Sequence, residues 1–321
     1  MNFWKDKNIL VTGGAGFIGS HLVEMLVEKG AHVIVPTRSG KIDFLKGVKD
    51  KINVVQADLS NFDACLKLSK DKDIVMNLAA SVGGLEFNMK HPGSIFRNNL
   101  NIFMNILEAS RVNGVKKFLT VSSACVYPRF CTIPTPEDEG FKDKPEPTNE
   151  GYGWAKRMEE FLSEAYNKEF GMDILIARPY NAYGPRDNFN PSSSHVIPAL
   201  IKRVLDGENP LTVWGHGRQS RAFLYVTDFC KGLMYVAEHS KETSAINLGT
   251  DNETTIRMLV DIILKSTGKS PEVIYDESKP VGQPRRNCDV TRAKELGFEA
   301  EVSLEEGIKK TVEWYLKWIK K

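Results

Sequence analysis

The chain has 321 residues, of which 41% are hydrophobic and 26% charged, and its formal net charge is +2. That length carries a large core, in one large domain or in a main domain with a smaller lobe, and the near balance of charge gives no reason to expect nucleic acid or a membrane surface as a partner. No apolar run reaches the ~18 residues of a membrane span, and Met1-Asn2-Phe3-Trp4-Lys5 runs almost directly into a strand, with no signal-peptide pattern. Cys65, Cys125, Cys131, Cys230 and Cys288 are scattered without a Cys-x-x-Cys pair. That usage fits reduced thiols in the cytoplasm and gives no metal site.

Asn8-Ile9-Leu10-Val11-Thr12 is a short apolar run of the kind that forms a strand covered on both faces. Gly13-Gly14-Ala15-Gly16-Phe17-Ile18-Gly19 follows at once, then a helical pattern over 20–29, then Gly30 and a second strand over 31–35. Glycines at such a turn let backbone approach a pyrophosphate, and the helix behind them aims its first amides at the anion. A strand–loop–helix–strand unit of this length predicts a dinucleotide site. The second strand ends in Pro36-Thr37-Arg38-Ser39, without the acid that usually grips the ribose of NAD. Arg38 either attracts the extra phosphate of NADP or is a solvated loop residue, so the cofactor leans to NADP with NAD still open.

Further strands are predicted at 53–56, 74–78, 118–122 and 174–177, separated by helical stretches. This alternation predicts an α/β fold, a Rossmann-type doubly wound parallel sheet whose ligand lies along the carboxyl ends of the strands. Asp58-Leu59 and Asn77-Leu78-Ala79-Ala80 each follow such a strand, and Ser123 ends another. Tyr152 and Lys156 then stand four apart, on one face of a helix. A phenol with a reference pKa of about 10 is a poor base at neutral pH, and a lysine one turn away favours its phenolate. With Ser123 bonding the substrate oxygen and Tyr152 moving its proton, the set suits hydride transfer at a carbon bearing oxygen. The helices around 94–112 and 152–170 carry long apolar faces, suited to the sheet or to a second subunit, so a homodimer is expected.

After about Pro179 the texture changes. A turn-rich loop over 185–194 leads to a helix near 198–205, a strand at Leu211–Trp214, the segment Arg218-Gln219-Ser220-Arg221, the stretch 279–286 and a terminal amphipathic helix. Residues 1–178 are read as mainly the dinucleotide-binding domain. Residues 179–321 are read as mainly a smaller C-terminal substrate-binding lobe, with some segments returning to the first domain. Arg203, Arg221 and Arg286 are candidates to neutralise a diphosphate, although a single arginine is more often solvated.

Together these residues resemble the extended short-chain dehydrogenase/reductase superfamily (NAD-dependent epimerases and dehydratases) over essentially the whole chain. The resemblance rests on the glycine loop, Asp58-Leu59, Asn77-Leu78-Ala79-Ala80, Asn99, Ser123, Tyr152-x-x-x-Lys156 and the run from Arg178-Pro179 to Pro185. Val82-Gly83-Gly84, Cys125-Val126-Tyr127-Pro128, Glu146-Pro147-Thr148-Asn149-Glu150 and the long run from Tyr183 through His195 to Leu200 are similar to the GDP-L-fucose synthase branch. That resemblance implies a 3,5-epimerase/4-reductase acting on a GDP-4-keto-6-deoxy-hexose with NADPH. It places Gly13, Gly16, Phe17, Ile18, Gly19, Arg38, Asp58, Leu59, Leu78, Ala79, Ala80, Asn99, Tyr152, Lys156 and Pro179 at the cofactor. It places Val82, Gly83, Asn181, Val196, Arg203, Trp214, Arg221 and Arg286 at the GDP-sugar.

A ketone at carbon 4 acidifies the hydrogens on carbons 3 and 5, so inverting those centres needs a base and an acid on opposite sides of the ring. Cys125 and His195 match the family's base and acid positions. The chain departs from the pattern at Ala15, where the family often has arginine, and at Val281, where some relatives place an acid. Three rival readings follow. A GDP-mannose 3,5-epimerase-like enzyme makes no net redox change but typically has lysine where His195 stands. An epimerase or reductase of another GDP-4-keto sugar needs the same chemistry. A non-catalytic nucleotide-binding protein commonly lacks one of Ser123, Tyr152 and Lys156, all of which are present.

Overall fold

The computed structural model describes residues 2–81, 85–190, 193–279 and 282–319, so Val82, Gly83 and Val281 lie outside the described residues. The first part of the chain forms β1 (Asn8–Thr12), α1 (Phe17–Glu28), β2 (His32–Thr37), β3 (Ile52–Gln56), α2 (Phe62–Ser69), β4 (Ile74–Asn77), α3 (Leu85–Lys90), α4 (Pro92–Val112), β5 (Lys117–Val121), α5 (Glu150–Phe170) and β6 (Ile174–Pro179). There follow β7 (Ala182–Tyr183), α6 (Val196–Leu205), β8 (Leu211–Trp214), β9 (Ser220–Ala222), β10 (Leu224–Tyr225), α7 (Val226–His239) and β11 (Ala245–Leu248). The chain continues through β12 (Glu253–Thr255), α8 (Ile256–Thr267), β13 (Val273–Asp276), β14 (Arg285–Arg286), α9 (Thr291–Glu295) and α10 (Leu304–Trp318).

Seven strands make one sheet in the order β11-β6-β5-β4-β1-β2-β3, and every pairing in it is parallel. Every residue of β4 and β6 is buried, the pattern of strands covered on both faces. The chain runs outward from β1 to β3 and then returns to place β4 on the other side of β1. The strand order therefore reverses between β1 and β4, which opens a crevice at their carboxyl ends. The sheet is a doubly wound parallel sheet of Rossmann type, as the alternation of strands and helices predicts.

One face of the sheet is covered by α2, α4 and α5, through Cys65, Phe103, Ile106 and their neighbours. The other face meets α1 and α7, and the same apolar cluster continues without a break into α6, α8 and α10 through Leu200, Leu259 and Ile308. Strand β11 belongs to the later part of the chain yet pairs with β6 at the sheet edge.

Helix starts fall two or three residues before the predicted positions. The first turn of α6 contains Pro198, whose missing N–H is among those that no helix satisfies internally. Gly16 caps α1, so its first turn lies inside the glycine-rich loop. At the other end of a helix, Gly171 stops α5 in the left-handed conformation (φ 66°).

A buried ion pair fixes α5 against the sheet. Arg178 on β6 donates from Nε and Nη2 to the two carboxylate oxygens of Glu160 on α5, at 2.7 and 2.6 Å. Arg178 also donates to Tyr127 Oη at 3.1 Å and to the Glu137 carbonyl at 2.6 Å, while Ser122 Oγ donates to Glu160. Removing one partner strands a charge in the interior. Arg178→Met is therefore expected to lose about 3–5 kcal/mol in equilibrium urea unfolding, and an Arg178→Met/Glu160→Gln double variant to recover much of that loss.

Candidate active site

A cleft of about 1780 Å³ runs along the carboxyl ends of the strands and is closed on its far side by the C-terminal part of the chain. Its floor at β1 is the glycine loop. Gly13 has φ 68°, and a Cβ at Gly19 would sit 2.2 Å from the Gly13 carbonyl oxygen, so both positions require glycine. Helix α1 has no side-chain cap and no acid in its first turn, which leaves its N-terminal amides available to an anion. Across the switch point Thr12 Oγ1 donates to Asn77 Oδ1 at 2.6 Å and accepts from the Ala79 amide at 3.1 Å, locking β1 to β4.

Gly13, Gly16, Phe17, Ile18 and Gly19 all line this end of the cleft, Leu78, Ala79 and Ala80 line it after β4, and Pro179 lines it farther along, at the end of β6. Arg38, at the end of β2, and Asp58 and Leu59, after β3, line it as well. The Ser60 amide and hydroxyl hold the Asp58 carboxyl below its ordinary range. Asn99 stands apart: it is buried behind the lining, where it accepts from the Ser81 amide at 2.7 Å and donates to the Ser81 carbonyl at 2.9 Å. It shapes the segment after β4 from behind. A tight glycine turn, an uncapped helix and an arginine at the end of β2 fit a dinucleotide.

Ser123, Tyr152 and Lys156 meet in the same cleft. Ser123 lies just past β5 and accepts from the Cys125 amide at 3.2 Å. Tyr152 stands in the first turn of α5, and the Ser123 hydroxyl is near enough to favour its ionised form. Lys156 is buried one turn later, its Nζ 5.6 Å from the centroid of the Tyr152 ring. The electrostatic outcome differs from the sequence expectation. Burial pushes the Tyr152 phenol up to about 12, outweighing the pull of Lys156. The lysine is already engaged: its Nζ donates to Glu159 Oε2 at 2.8 Å and to the Val121 carbonyl at 2.9 Å. Burial raises the Glu159 carboxyl to about 7, with Lys156 opposing the rise. Tyr152 is thus held as a protonated donor, the form that delivers a proton to a carbonyl oxygen being reduced.

Cys125 reaches the cleft from the turn after β5, and His195 reaches it from the residue before α6. Arg286 on β14 addresses both. Its Nη2 lies 3.5 Å from Cys125 Sγ. The His195 ring opens onto the cleft but is surrounded by protein, and that burial together with the Arg286 charge lowers its pKa below the ordinary range. Arg221 is the direct register partner of Arg286 across β9 and β14. Burial, then the neighbouring guanidinium, pushes Arg221 down to about 10. Two arginines side by side in a half-buried wall suit a multiply charged anion.

The remaining predicted residues divide. Asn181 lines the cleft and donates to the Ala222 carbonyl at 2.8 Å. Arg203 lines it too but is tied to Glu208, by Nε at 2.6 Å, and to the Thr212 carbonyl at 2.6 Å. Trp214 and Val196 present exposed side chains to the cleft. Sequence reasoning overlooked Glu159. The signal was available, since an acid three residues after Lys156 lies on the lysine's own helical face.

A family model described as the NAD dependent epimerase/dehydratase family matches residues 9–249. The chain is 34% identical to GDP-L-fucose synthase 1 of Arabidopsis thaliana over 98% of its own length and 94% of that protein. It is 35% identical to GDP-L-fucose synthase of Escherichia coli K12 over 97% of each, and 32% identical to GDP-L-colitose synthase of Yersinia pseudotuberculosis over 96% of this chain and 97% of that one. Among solved structures, UDP-glucose 4-epimerase from Thermotoga maritima superimposes with a TM-score of 0.88 at 32% identity, covering 97% of this chain and 99% of that one. A GDP-L-fucose synthetase from Naegleria fowleri bound to NADP gives 0.83 at 28% identity, covering 98% and 94%.

Glu159 raises the Tyr152 pKa through its negative charge. In a Glu159→Gln variant the phenol should therefore ionise at lower pH, and the alkaline limb of the pH–rate profile for turnover should move in the acid direction. An unmoved limb would reduce Glu159 to a packing role.

Proposed function

The chain belongs to the NAD-dependent epimerase/dehydratase family and is an NAD(P)-dependent nucleotide-sugar epimerase/reductase of the extended short-chain dehydrogenase/reductase type; from that premise we propose that its substrate is a GDP-4-keto-6-deoxy-hexose, epimerised at carbons 3 and 5 and reduced at carbon 4 with NADPH. The observation that carries this reading is that one cleft holds both the Ser123–Tyr152–Lys156 group and the Cys125–His195 pair. A simple 4-epimerase or 4-reductase has no use for the second pair. The GDP-L-fucose synthase relatives support the same choice. Arg38, in place of an acid at the end of β2, supports NADP, as does the NADP-bound relative.

Each residue then has a defined task. Arg221 and Arg286 hold the diphosphate. Cys125 removes a proton from a carbon beside the ketone, and His195 returns one from the opposite side of the ring. Ser123 and Tyr152 hold the negative oxygen of the enolate between those two steps. A nicotinamide held by the glycine loop and Lys156 would supply the hydride for the last step, and Tyr152 gives its proton to the carbon-4 oxygen. The half-exposed Met104 on α4 and Phe161 on α5 leave an apolar surface that supports a homodimer.

The test is NADPH oxidation on adding GDP-4-keto-6-deoxy-mannose in deuterated water, with mass analysis of the product. One equivalent oxidised with two carbon-bound deuterons incorporated is the expected result. Cys125→Ser and His195→Gln should each slow deuterium incorporation by about 10²–10⁴-fold. Tyr152→Phe should abolish oxidation and slow exchange without stopping it, since Ser123 still holds the enolate oxygen. Oxidation without deuterons would leave a 4-reductase alone, exchange without oxidation would leave an epimerase with no net redox change, and either outcome overturns the proposal.

A further inference from the structure

The rim of the cleft beside the phosphate loop is aromatic, and its rings come from remote segments of the chain. Phe44 stands in the tight helical stretch Asp43–Lys51 that follows β2, and Trp314 and Trp318 stand on α10. The two indoles stack with centroids 5.3 Å apart and planes 17° apart, and Trp318 also meets Phe44 at 5.4 Å. A side pocket of about 400 Å³ adjoins the main cleft at this point. Ala15 of the phosphate loop, Thr37 and Arg38 at the end of β2, Phe44 and Trp318 line it, with Ser39, Lys41 and Asp43, and the Asp43 carboxylate is answered by Lys46 at 3.2 Å.

None of these rings takes part in the proton and hydride steps. Ser123, Tyr152 and Cys125 lie under β5, on the other side of the switch point, whereas Ala15, Thr37 and Arg38 mark where a dinucleotide's pyrophosphate and adenosine ribose leave the loop. Trp318 remains 41% exposed although Trp314 and Phe44 both pack against it. An indole held in place with apolar area still in water gains by covering a ligand and loses little conformational freedom in doing so. The methyl side chain of Ala15 puts no long group between the indole and the loop, and Arg38 and Lys41 supply positive charge across the pocket from it.

We infer that Trp318, braced by Trp314 and Phe44, is a clasp on the adenosine half of the dinucleotide, closing over the pyrophosphate and ribose and slowing their release. The clasp rests on the reading of this cleft as a dinucleotide site. It is tested by binding NADPH to the whole protein, following energy transfer from tryptophan to the nicotinamide and measuring release by stopped-flow displacement.

Trp318→Ala should release NADPH about tenfold faster, the equivalent of one aromatic contact, with Trp318→Phe in between and Phe44→Ala similar to Trp318→Ala. Trp318 is half-exposed, so its variants should keep the wild-type thermal unfolding profile. Phe44→Ala reaches the same contact by removing a bracing ring if they do not. Wild-type protein that binds neither NADPH nor NADH overturns the dinucleotide reading itself. Normal binding in the wild type with release unchanged within about twofold in both Trp318→Ala and Phe44→Ala overturns the clasp alone.

Discussion

Two adjacent carboxylates on α5 are carried into the interior, and the site is arranged around how each is answered. Glu160 is met by the guanidinium of Arg178 on β6 and the hydroxyl of Ser122 after β5. Glu159 is met by Lys156, which also reaches the carbonyl at the end of β5. A buried charge without its partner costs several kcal/mol. The Arg178–Glu160 pair and the bond from Lys156 to the Val121 carbonyl form together only when α5 sits at one rotation and one height against β5 and β6. That same placement puts the Tyr152 hydroxyl beside Ser123. The reactive geometry is thus set from behind, by ion pairs that touch no substrate.

The pairing also sets the chemical state of the tyrosine. A lysine free of other partners pulls a neighbouring phenol towards ionisation. Here burial decides the outcome, and Cys125 and Glu159 add negative charge that works against the lysine, so Tyr152 stays protonated. On the opposite wall the balance runs the other way. Arg286 keeps a positive charge near His195 and beside Arg221, and both neighbours are lowered by it. An anion bound between the two arginines relieves that repulsion, so His195 holds a proton more readily in a complex with a diphosphate than in the free protein. On the proposed reading, substrate binding and readiness of the acid would be coupled through Arg286.

Much of this was legible in the sequence because it is local. The apolar runs of β1, β4 and β6, the glycine loop and the Tyr152–Lys156 spacing each declare themselves within a few residues, and the structure places nearly all of the predicted lining in one cleft. What was not legible depends on distant pairings. Glu160 reads as an ordinary helical acid until Arg178 meets it from β6. Arg286 is legible as a candidate for a diphosphate, but its place next to Cys125 and Arg221 appears only once β14 lies beside β9. Asn99 matched a motif, but only the fold reveals that it works through the Ser81 backbone. The aromatic rim joins Phe44 to Trp318 from opposite ends of the chain, and no local pattern announces it.

A clasp on the cofactor constrains the reaction the cleft can run. A reductase exchanges its dinucleotide at every turnover, while an epimerase without net redox change does better to keep it. A single exposed indole braced by two rings contributes on the order of 1 kcal/mol, a change in release rate of roughly tenfold or less. Such a hold delays departure without preventing it. Locking the cofactor in place would require burying the adenosine half, and Arg38, Asp58 and half of Trp318 remain open to water at that end. On the proposed reaction, a hold of this size would retain the dinucleotide through the proton transfers at carbons 3 and 5 and would release it once the ketone at carbon 4 had been reduced.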